Sequence, residues 1–312
     1  MNANYVLTII TPVYNGAKYI SETIESVVNS TIEYPYEYIV LDDGSSDSTF
    51  ESLQKYKDCI KIMSHKNIGE SATVNRGIKN ALGEFLLVVN ADDPLLTSEL
   101  INRGCKILID NPSIAAIYPD WKIIDENGKT LKSKILPEFD EDILIGHCKC
   151  LPGPGTLFRK DKAVQINGRS LKWKFVGDYD FWLRLSRVGE IQRLPGVLAQ
   201  WRENQNSTSF SQRDKKMALE RIKVIEEFLF ENKTSKNLRR KALGNSHYLA
   251  ARLAFFDSGI NGKNLLIKAF FLRKGWPEEA KLHIVLYLIF MPISSILLKP
   301  FSRIILKFLS YR

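Results

Sequence analysis

The sequence predicts an α/β protein with a doubly wound, mainly parallel open sheet and a helical C-terminal region. Three observations carry that expectation. Short apolar runs alternate with amphipathic segments through the first ninety residues, at the spacing of βα repeats. Two of these runs end in aspartate pairs, Asp42-Asp43 and Asp92-Asp93. From about residue 212 strand signals give way to helical ones, and basic residues accumulate.

The elements follow in order. Val6-Leu7-Thr8-Ile9-Ile10-Thr11 is a β-branched run stopped by Pro12. A helix at 17–29 places Ile20, Ile24, Val27 and Val28 on one face. A strand at 37–41 leads through a Ser46-Asp47-Ser48 cap into a helix near 47–57. A short strand at 60–63, a helix at 70–82 and an apolar strand at 84–90 complete three βα repeats. Beyond Asp93 the pattern loosens into a helix at 97–110, a strand at 114–118 and a hairpin tip at 125–129. A strand at 156–159, a helix beginning at Phe181 and a last strand at 191–200 follow. Helices are expected at 212–231, 236–257 and 262–274. The boundary near 210 divides a domain at 1–210 from a helical region at 211–312.

Composition is that of a folded globular chain, with 45% hydrophobic and 25% charged residues. Cys59, Cys105, Cys148 and Cys150 form no CxxC pair and no secretory signal opens the chain, so a reduced, cytoplasmic setting is expected. His147-Cys148-Lys149-Cys150 lacks a second ligand cluster at zinc-finger spacing and reads as unrelated thiols. Residues 1–210 hold 24 Lys+Arg against 27 Asp+Glu, whereas 211–312 hold 20 against 8, so the whole positive excess sits in the last third. Nucleic acid or anionic lipid would each attract it. Apolar content decides for lipid, and no nucleic-acid partner is expected. The stretch 284–298 is apolar but interrupted by Pro292 and two serines, shorter than the roughly 20 residues of a spanning helix. Arg303, Lys307 and Arg312 then alternate with Ile304, Ile305, Phe308 and Leu309, as in a helix lying in a membrane interface. The expectation is a membrane surface engaged through 276–312, at the inner face of the plasma membrane. Packing of that helical region on protein, including a second subunit, is the alternative.

Adjacent carboxylates repel, so two such pairs at the ends of buried strands call for a cation or hydrogen-bond donors. In open α/β sheets those strand ends form the ligand crevice. A metal with a hydroxyl-rich or phosphorylated ligand is one reading; two turns using Asp as cap and turn former is the other. Tyr14, in the loop after the first strand, together with Asp42 could sandwich and hydrogen-bond a nucleobase. Gly69 allows close backbone approach at a helix start whose amides could face a phosphate.

The ordered set Pro12-Val13-Tyr14-Asn15, Asp42-Asp43-Gly44-Ser45-Ser46-Asp47, Asn67-Ile68-Gly69, Asn75-Arg76-Gly77, Gly83-Glu84 and Asn90-Ala91-Asp92-Asp93 resembles the family 2 glycosyltransferases over residues 5–205. That resemblance implies a GT-A fold binding a nucleotide-diphosphate sugar with a divalent metal, Mn²⁺ or Mg²⁺. It implies that Pro12, Tyr14 and Asp42 hold base and ribose. Asn15, Asn67, Gly69, Asn75, Asn90 and Ala91 would complete the donor site. Asp92 would ligate the metal, with Asp93 as a second ligand or a cap for the next helix. Asn90 replaces the first Asp of the metal triplet and Val74 stands where many members carry Arg. Both resemble a branch with an Asn-small-Asp-Asp motif, of the bacterial surface-polysaccharide type. Gly177-Asp178-Tyr179-Asp180 is similar to the acidic motif that supplies the general base, which implies Asp178 for that role. Asp180 reads instead as a cap or an i,i+4 partner of Arg184. Pro152-Gly153-Pro154-Gly155-Thr156 would line the acceptor side. Trp201-Arg202-Glu203-Asn204 is similar to the closing segment, with Arg202 available to the diphosphate and Asn204 in a position often held by His. No Gln-x-x-Arg-Trp sequence, the mark of processive synthases, occurs.

The implied function is inverting, metal-dependent transfer of a single sugar, a hexosyl group, from a nucleotide sugar, UDP-sugar favoured, to a glycan or lipid-linked saccharide. A sugar-nucleotide-binding or scaffold protein without catalysis is the alternative.

Overall fold

The computed structural model describes residues 5–203, 215–254, 262–273 and 276. The chain divides into two compact units, one of residues 1–139 and 150–205, the other of residues 140–149 and 206–312.

In the first unit, strands β1 (Leu7–Val13), β2 (Tyr36–Asp42), β3 (Lys61–Ser64) and β4 (Phe85–Val88) are parallel and alternate with helices α1 (Ile20–Val28), α2 (Thr49–Gln54) and α3 (Glu70–Asn80). Helix α4 (Glu99–Asp110) leads to β5 (Ile114–Ile124), which forms a hairpin with β6 (Thr130–Lys134). Then come β7 (Leu157–Arg159), α5 (Lys160–Gln165), α6 (Gly177–Leu185) and β8 (Glu190–Arg202). The sheet order is β3-β2-β1-β4-β7-β5-β6, with β8 paired to β5. Antiparallel β7 between β4 and β5 makes the sheet mixed. The α/β architecture and its helical C-terminal region are as expected. Apolar residues of β1, β2 and β4, including Leu7, Ile9, Val40 and Leu87, are fully buried together with Ile20 and Ile24 of α1 and Leu100 and Ile101 of α4.

Two boundaries differ instructively from the sequence reading. β1 continues through Pro12 to Val13 rather than stopping before it. Val89 N–H donates to the Ile10 carbonyl and Asp43 N–H to the Val13 carbonyl, so alternate residues face β4 and β2. Pro12 therefore turns its nitrogen toward the β4 side, beyond the end of β4 at Val88, where no ladder donor is required. Helix α6 begins at Gly177 rather than Phe181, bringing Asp178 into its first turn. Carboxylates there complement the helix dipole.

The second unit contains helices α7 (Lys215–Glu231), α8 (Lys236–Ala254) and α9 (Gly262–Leu272). It also takes in residues 140–149, whose central turn is Asp142–Gly146. That segment joins helices distant in sequence because they supply its hydrogen bonds. Arg221 donates to the Cys148 carbonyl at 2.8 Å, Asn245 to the Gly146 carbonyl at 2.5 Å, and Lys241 pairs with Asp142. Cys148 is buried with its thiol against the Ala242 carbonyl, so packing accounts for it. Among the described residues no helix is long and apolar enough to cross a membrane. Residues 277–312, which carry nearly all of the membrane reading, lie outside the described ones, as does Asn204.

Arg159 closes the first unit's far side. Its guanidinium is buried, donating to the Ile114 carbonyl at 2.9 Å and to the carbonyls of Leu108 and Asn111. Arg159→Leu leaves those carbonyls without their donor, at a cost of about 3 kcal/mol. Urea denaturation of wild type and variant should show a lower midpoint at unchanged slope.

Candidate active site

Because β2, β1 and β4 are adjacent and parallel, their C-terminal ends deliver Asp42, Tyr14 and the Asn90–Asp93 turn to one edge of the sheet. The loops there are locked to one another. Asn15 adopts φ 51°; its amide N–H donates to Ser45 Oγ at 2.9 Å, and its side-chain oxygen accepts from Ser46 N–H at 2.8 Å. Tyr14 remains 54% exposed, a planar ring free of the core. Asp42 is buried and accepts from Ser45 N–H at 3.0 Å and Ser64 Oγ at 3.1 Å.

Asp43 does something different. Its two oxygens accept from the backbone N–H groups of Ile68 (2.7 Å) and Gly69 (2.9 Å), gripping the loop before α3. Gly44, at φ 73°, makes that approach feasible: a Cβ there would come within 2.7 Å of the Asn67 nitrogen. His65 sits beside the same carboxylate, Nδ1 to Oδ1 3.4 Å, with Nε2 buried and without a hydrogen-bond partner among the described residues. Asn67 is exposed on this loop, and Gly69 is partly exposed at φ 87° where α3 begins.

The second pair divides in the same way. Asp93 is buried; Arg202 N–H donates to its Oδ1 at 2.7 Å and Asn90 Nδ2 to its Oδ2 at 2.9 Å. Burial and neighbouring Asp92 push its carboxyl up to about 7, against these two donors. Asn90 thereby acquires a reason: an aspartate in its place would set a second anion against a buried one. Asp92 is the more exposed member. The turn's backbone is held by Thr23, whose hydroxyl donates to the Ala91 carbonyl at 2.8 Å, and by Arg202 Nε, which donates to the Asp92 carbonyl at 2.9 Å.

Arg202, 1% exposed, is the hub of this region. One terminal nitrogen contacts both oxygens of Glu22 at 2.8 Å; the other donates to the carbonyls of Glu126 (3.0 Å) and Asp125 (3.3 Å). Its guanidinium lies 4.6 Å from the Tyr19 ring centroid. The side chain expected at the diphosphate is committed to α1, to the β5–β6 hairpin tip and to the Asp92 backbone. Glu22 and Tyr19 escaped sequence reasoning; Glu22, on the face of α1 away from the apolar stripe, gave only the signal of an ordinary exposed charge.

Asp178 is exposed at the start of α6, its carboxylate accepting from Tyr179 N–H at 2.7 Å. Asp180 is buried and paired with Arg184 at 2.6 Å, the expected i,i+4 partner. Asn75 ties this region to α3: its side-chain amide donates to the Arg169 carbonyl and accepts from Arg169 N–H, both at 2.7 Å. The amide expected at the donor is thus occupied within the protein. Gly177 faces α3 as well, where a Cβ would stand 3.2 Å from Ser71 Oγ.

Among the described residues no three His, Cys, Asp or Glu side chains form a ready metal cage. Mg²⁺-type sites use one or two carboxylates and complete their shell with substrate phosphates and water. Asp92 suits that arrangement. Asp93 has both oxygens engaged inside the protein.

A family model described as glycosyl transferase family 2 matches residues 8–164. The chain belongs to this family. A relative, an uncharacterized glycosyltransferase of Rickettsia typhi, is 30% identical over 283 residues, covering 85% of this chain and 82% of that protein. A poly(ribitol-phosphate) beta-glucosyltransferase of Bacillus spizizenii is 29% identical over 212 residues, 59% of this chain and 33% of that one. TarS of S. aureus, solved with UDP-GlcNAc, superposes with a TM-score of 0.66 at 17% identity, covering 93% of this chain and 88% of that chain. A mannosyltransferase of Pyrobaculum calidifontis, solved with GDP-Man and Mn²⁺, gives 0.54 at 14% identity over 96% and 89%. These likenesses support the GT-A fold.

The Asn90 contact is testable on its own. Asn90→Asp replaces a donor with a carboxylate against Asp93 and should cost about 1–3 kcal/mol. Differential scanning calorimetry at neutral pH should record a lower Tm, partly recovered in Asn90→Asp/Asp93→Asn.

Proposed function

We propose that this family 2 glycosyltransferase moves one sugar, with inversion, from a nucleoside-diphosphate donor to a hydroxyl of a glycan or lipid-linked saccharide in cell-surface polymer synthesis. The observation that carries this reading is the side-by-side presentation of Tyr14, Asp42 and Asp92 by neighbouring strand ends. UDP-sugars are favoured because Tyr14 and Asp42 suit uracil. The neighbours bound to UDP-GlcNAc and GDP-Man support a nucleotide sugar. The B. spizizenii relative's name supports a surface polymer as acceptor.

The residues divide the chemistry. Tyr14 stacks on the base and Asp42 accepts its N–H or a ribose hydroxyl, with Pro12 and Asn15 shaping that pocket. Asn67 and the first amides of α3 face the diphosphate, and Gly69 lets it approach closely while its own N–H holds Asp43. Asp92 would hold the divalent ion, Mn²⁺ or Mg²⁺, which when bound supplies positive charge against the departing diphosphate. Ala91 brings the backbone close to the donor sugar. Asp93, Asn90 and Arg202 fix the Asp92 backbone, and Asn75 steadies the turn before α6. Asp178 takes the proton from the acceptor hydroxyl as its oxygen attacks the anomeric carbon opposite the leaving diphosphate. Release after each transfer matches the missing processive motif.

Asp178→Asn should lower transfer by about 10²–10⁴-fold while donor binding stays within a few-fold of wild type. A thermal-shift screen of nucleotide sugars, with and without Mn²⁺, identifies the donor and measures that binding. Wild type equally inert with every donor it binds would leave a sugar-nucleotide-binding protein instead.

The basic, apolar sequence at 276–312 supports association with an anionic membrane surface on the cytoplasmic side. Removing 276–312 should abolish flotation with phosphatidylglycerol vesicles. Undiminished flotation would refute the assignment.

A further inference from the structure

His65 follows β3 at the same sheet edge, and the transfer chemistry proposed above gives it no task. Its imidazole is buried, although Ser64, Lys66, Asn67 and Ile68 around it are exposed. Nδ1 lies 2.9 Å from the Lys66 carbonyl oxygen and 3.4 Å from Asp43 Oδ1. A carbonyl oxygen only accepts, so Nδ1 carries a hydrogen and donates. Nε2 is buried without a hydrogen-bond partner among the described residues. The ring therefore acts on its surroundings through Nδ1.

Both oxygens near Nδ1 govern the loop that leads into α3. The Lys66 carbonyl and the Asn67 nitrogen belong to one planar peptide unit, so holding that oxygen fixes the plane from which Asn67 starts. Gly44 closes on the same peptide: a Cβ there would stand 2.7 Å from the Asn67 nitrogen and 3.2 Å from the Lys66 carbonyl carbon. Asp43 Oδ1 is also the oxygen that accepts from Ile68 N–H at 2.7 Å, while Oδ2 accepts from Gly69 N–H at 2.9 Å. The backbone N–H of His65 donates to the Asp42 carbonyl at 3.1 Å, which anchors the ring's own position.

Resting on the nucleotide-sugar reading, we propose that His65 is a positioning residue for the donor diphosphate. Its Nδ1–H sets the Lys66–Asn67 peptide and the Asp43 carboxylate, and these aim Asn67 and the start of α3 at the phosphates. The ring itself touches no ligand. Its contribution is preorganisation, because a loop already held in its bound geometry loses little freedom when the anion arrives.

The choice of nitrogen makes the idea testable. An asparagine side chain places its amide nitrogen one bond beyond Cγ, where Nδ1 stands, whereas glutamine carries its nitrogen one bond further, toward the place of Nε2. Calorimetric titration of the full-length protein with UDP and with GDP, each with Mg²⁺, measures the diphosphate contact. For the nucleotide that wild type binds, His65→Gln should weaken affinity at least tenfold, and His65→Asn should stay within threefold of wild type. Amide hydrogen exchange at Ile68 and Gly69 should quicken at least tenfold in His65→Gln and return to the wild-type rate in His65→Asn. If His65→Gln does not fold, His65→Ala is expected to show the same losses. Equal effects of Asn and Gln, unchanged nucleotide affinity in His65→Gln, or unchanged exchange at both amides would overturn the assignment. Wild type that binds neither nucleotide would count against the nucleotide-sugar reading instead, and the exchange pattern then judges the hold of His65 on the loop by itself.

Discussion

The junction of Arg202 with Asp93 holds together the sheet edge that carries the proposed donor site. A guanidinium and a carboxylate are both withdrawn from water there, which costs several kcal/mol per ion unless each donor and acceptor finds a partner. Arg202 meets that condition by reaching Glu22, the Asp92, Asp125 and Glu126 carbonyls and the Tyr19 ring, while its backbone N–H serves Asp93. Helix α1, the Asn90–Asp93 turn, the hairpin tip and the end of β8 are thereby fastened at one side chain. A lysine could not replace it, since one ammonium cannot reach in so many planar directions.

The two aspartate pairs solve their repulsion by the same device. In each, the second carboxylate turns inward and takes two N–H donors: Ile68 and Gly69 for Asp43, Arg202 and Asn90 for Asp93. Asp43 thus shapes the loop that opens α3, and Asp93 shapes the turn that presents Asp92. Asp42 is as buried as Asp43 and accepts from Ser45 N–H and Ser64 Oγ, whereas Asp92 is the more exposed member of its pair. Asn90 belongs to this logic as well, because an amide, unlike an ionised aspartate, can donate to the buried carboxylate.

Much of the fold was legible because strand runs such as Ile9–Ile10 and Leu86–Leu87 are buried on both faces and flanked by amphipathic helices with clear stripes. The placement of Asp42, Asp92 and Tyr14 at one sheet edge was legible because strand ends announce themselves by a change from apolar to acidic or turn residues. Arg202, Asn75 and Asp43 were not, because their partners lie 25 to 180 residues away and are largely backbone atoms, which sequence patterns do not display. Pro12 misled for a related reason: its tolerance in β1 depends on where β4 ends. Residues 140–149 join the helical unit through Arg221, Lys241 and Asn245, and nothing local to that segment signals it.

The same reasoning explains why β8 extends to Arg202 when its apolar pattern fades near residue 200. Pairing with β5 continues through Ile124↔Arg202, and Glu203 N–H still donates to the Ile124 carbonyl. Each added residue alternates faces, so the extension sends Arg202 inward to the Asp92 turn and Trp201 outward beside Trp121. A shorter strand would release both at once. A one-residue slip would exchange them, burying an indole where the carboxylates need a cation. The register of β8 on β5 therefore couples the geometry of the Asp92 turn to the Trp121–Trp201 ring contact.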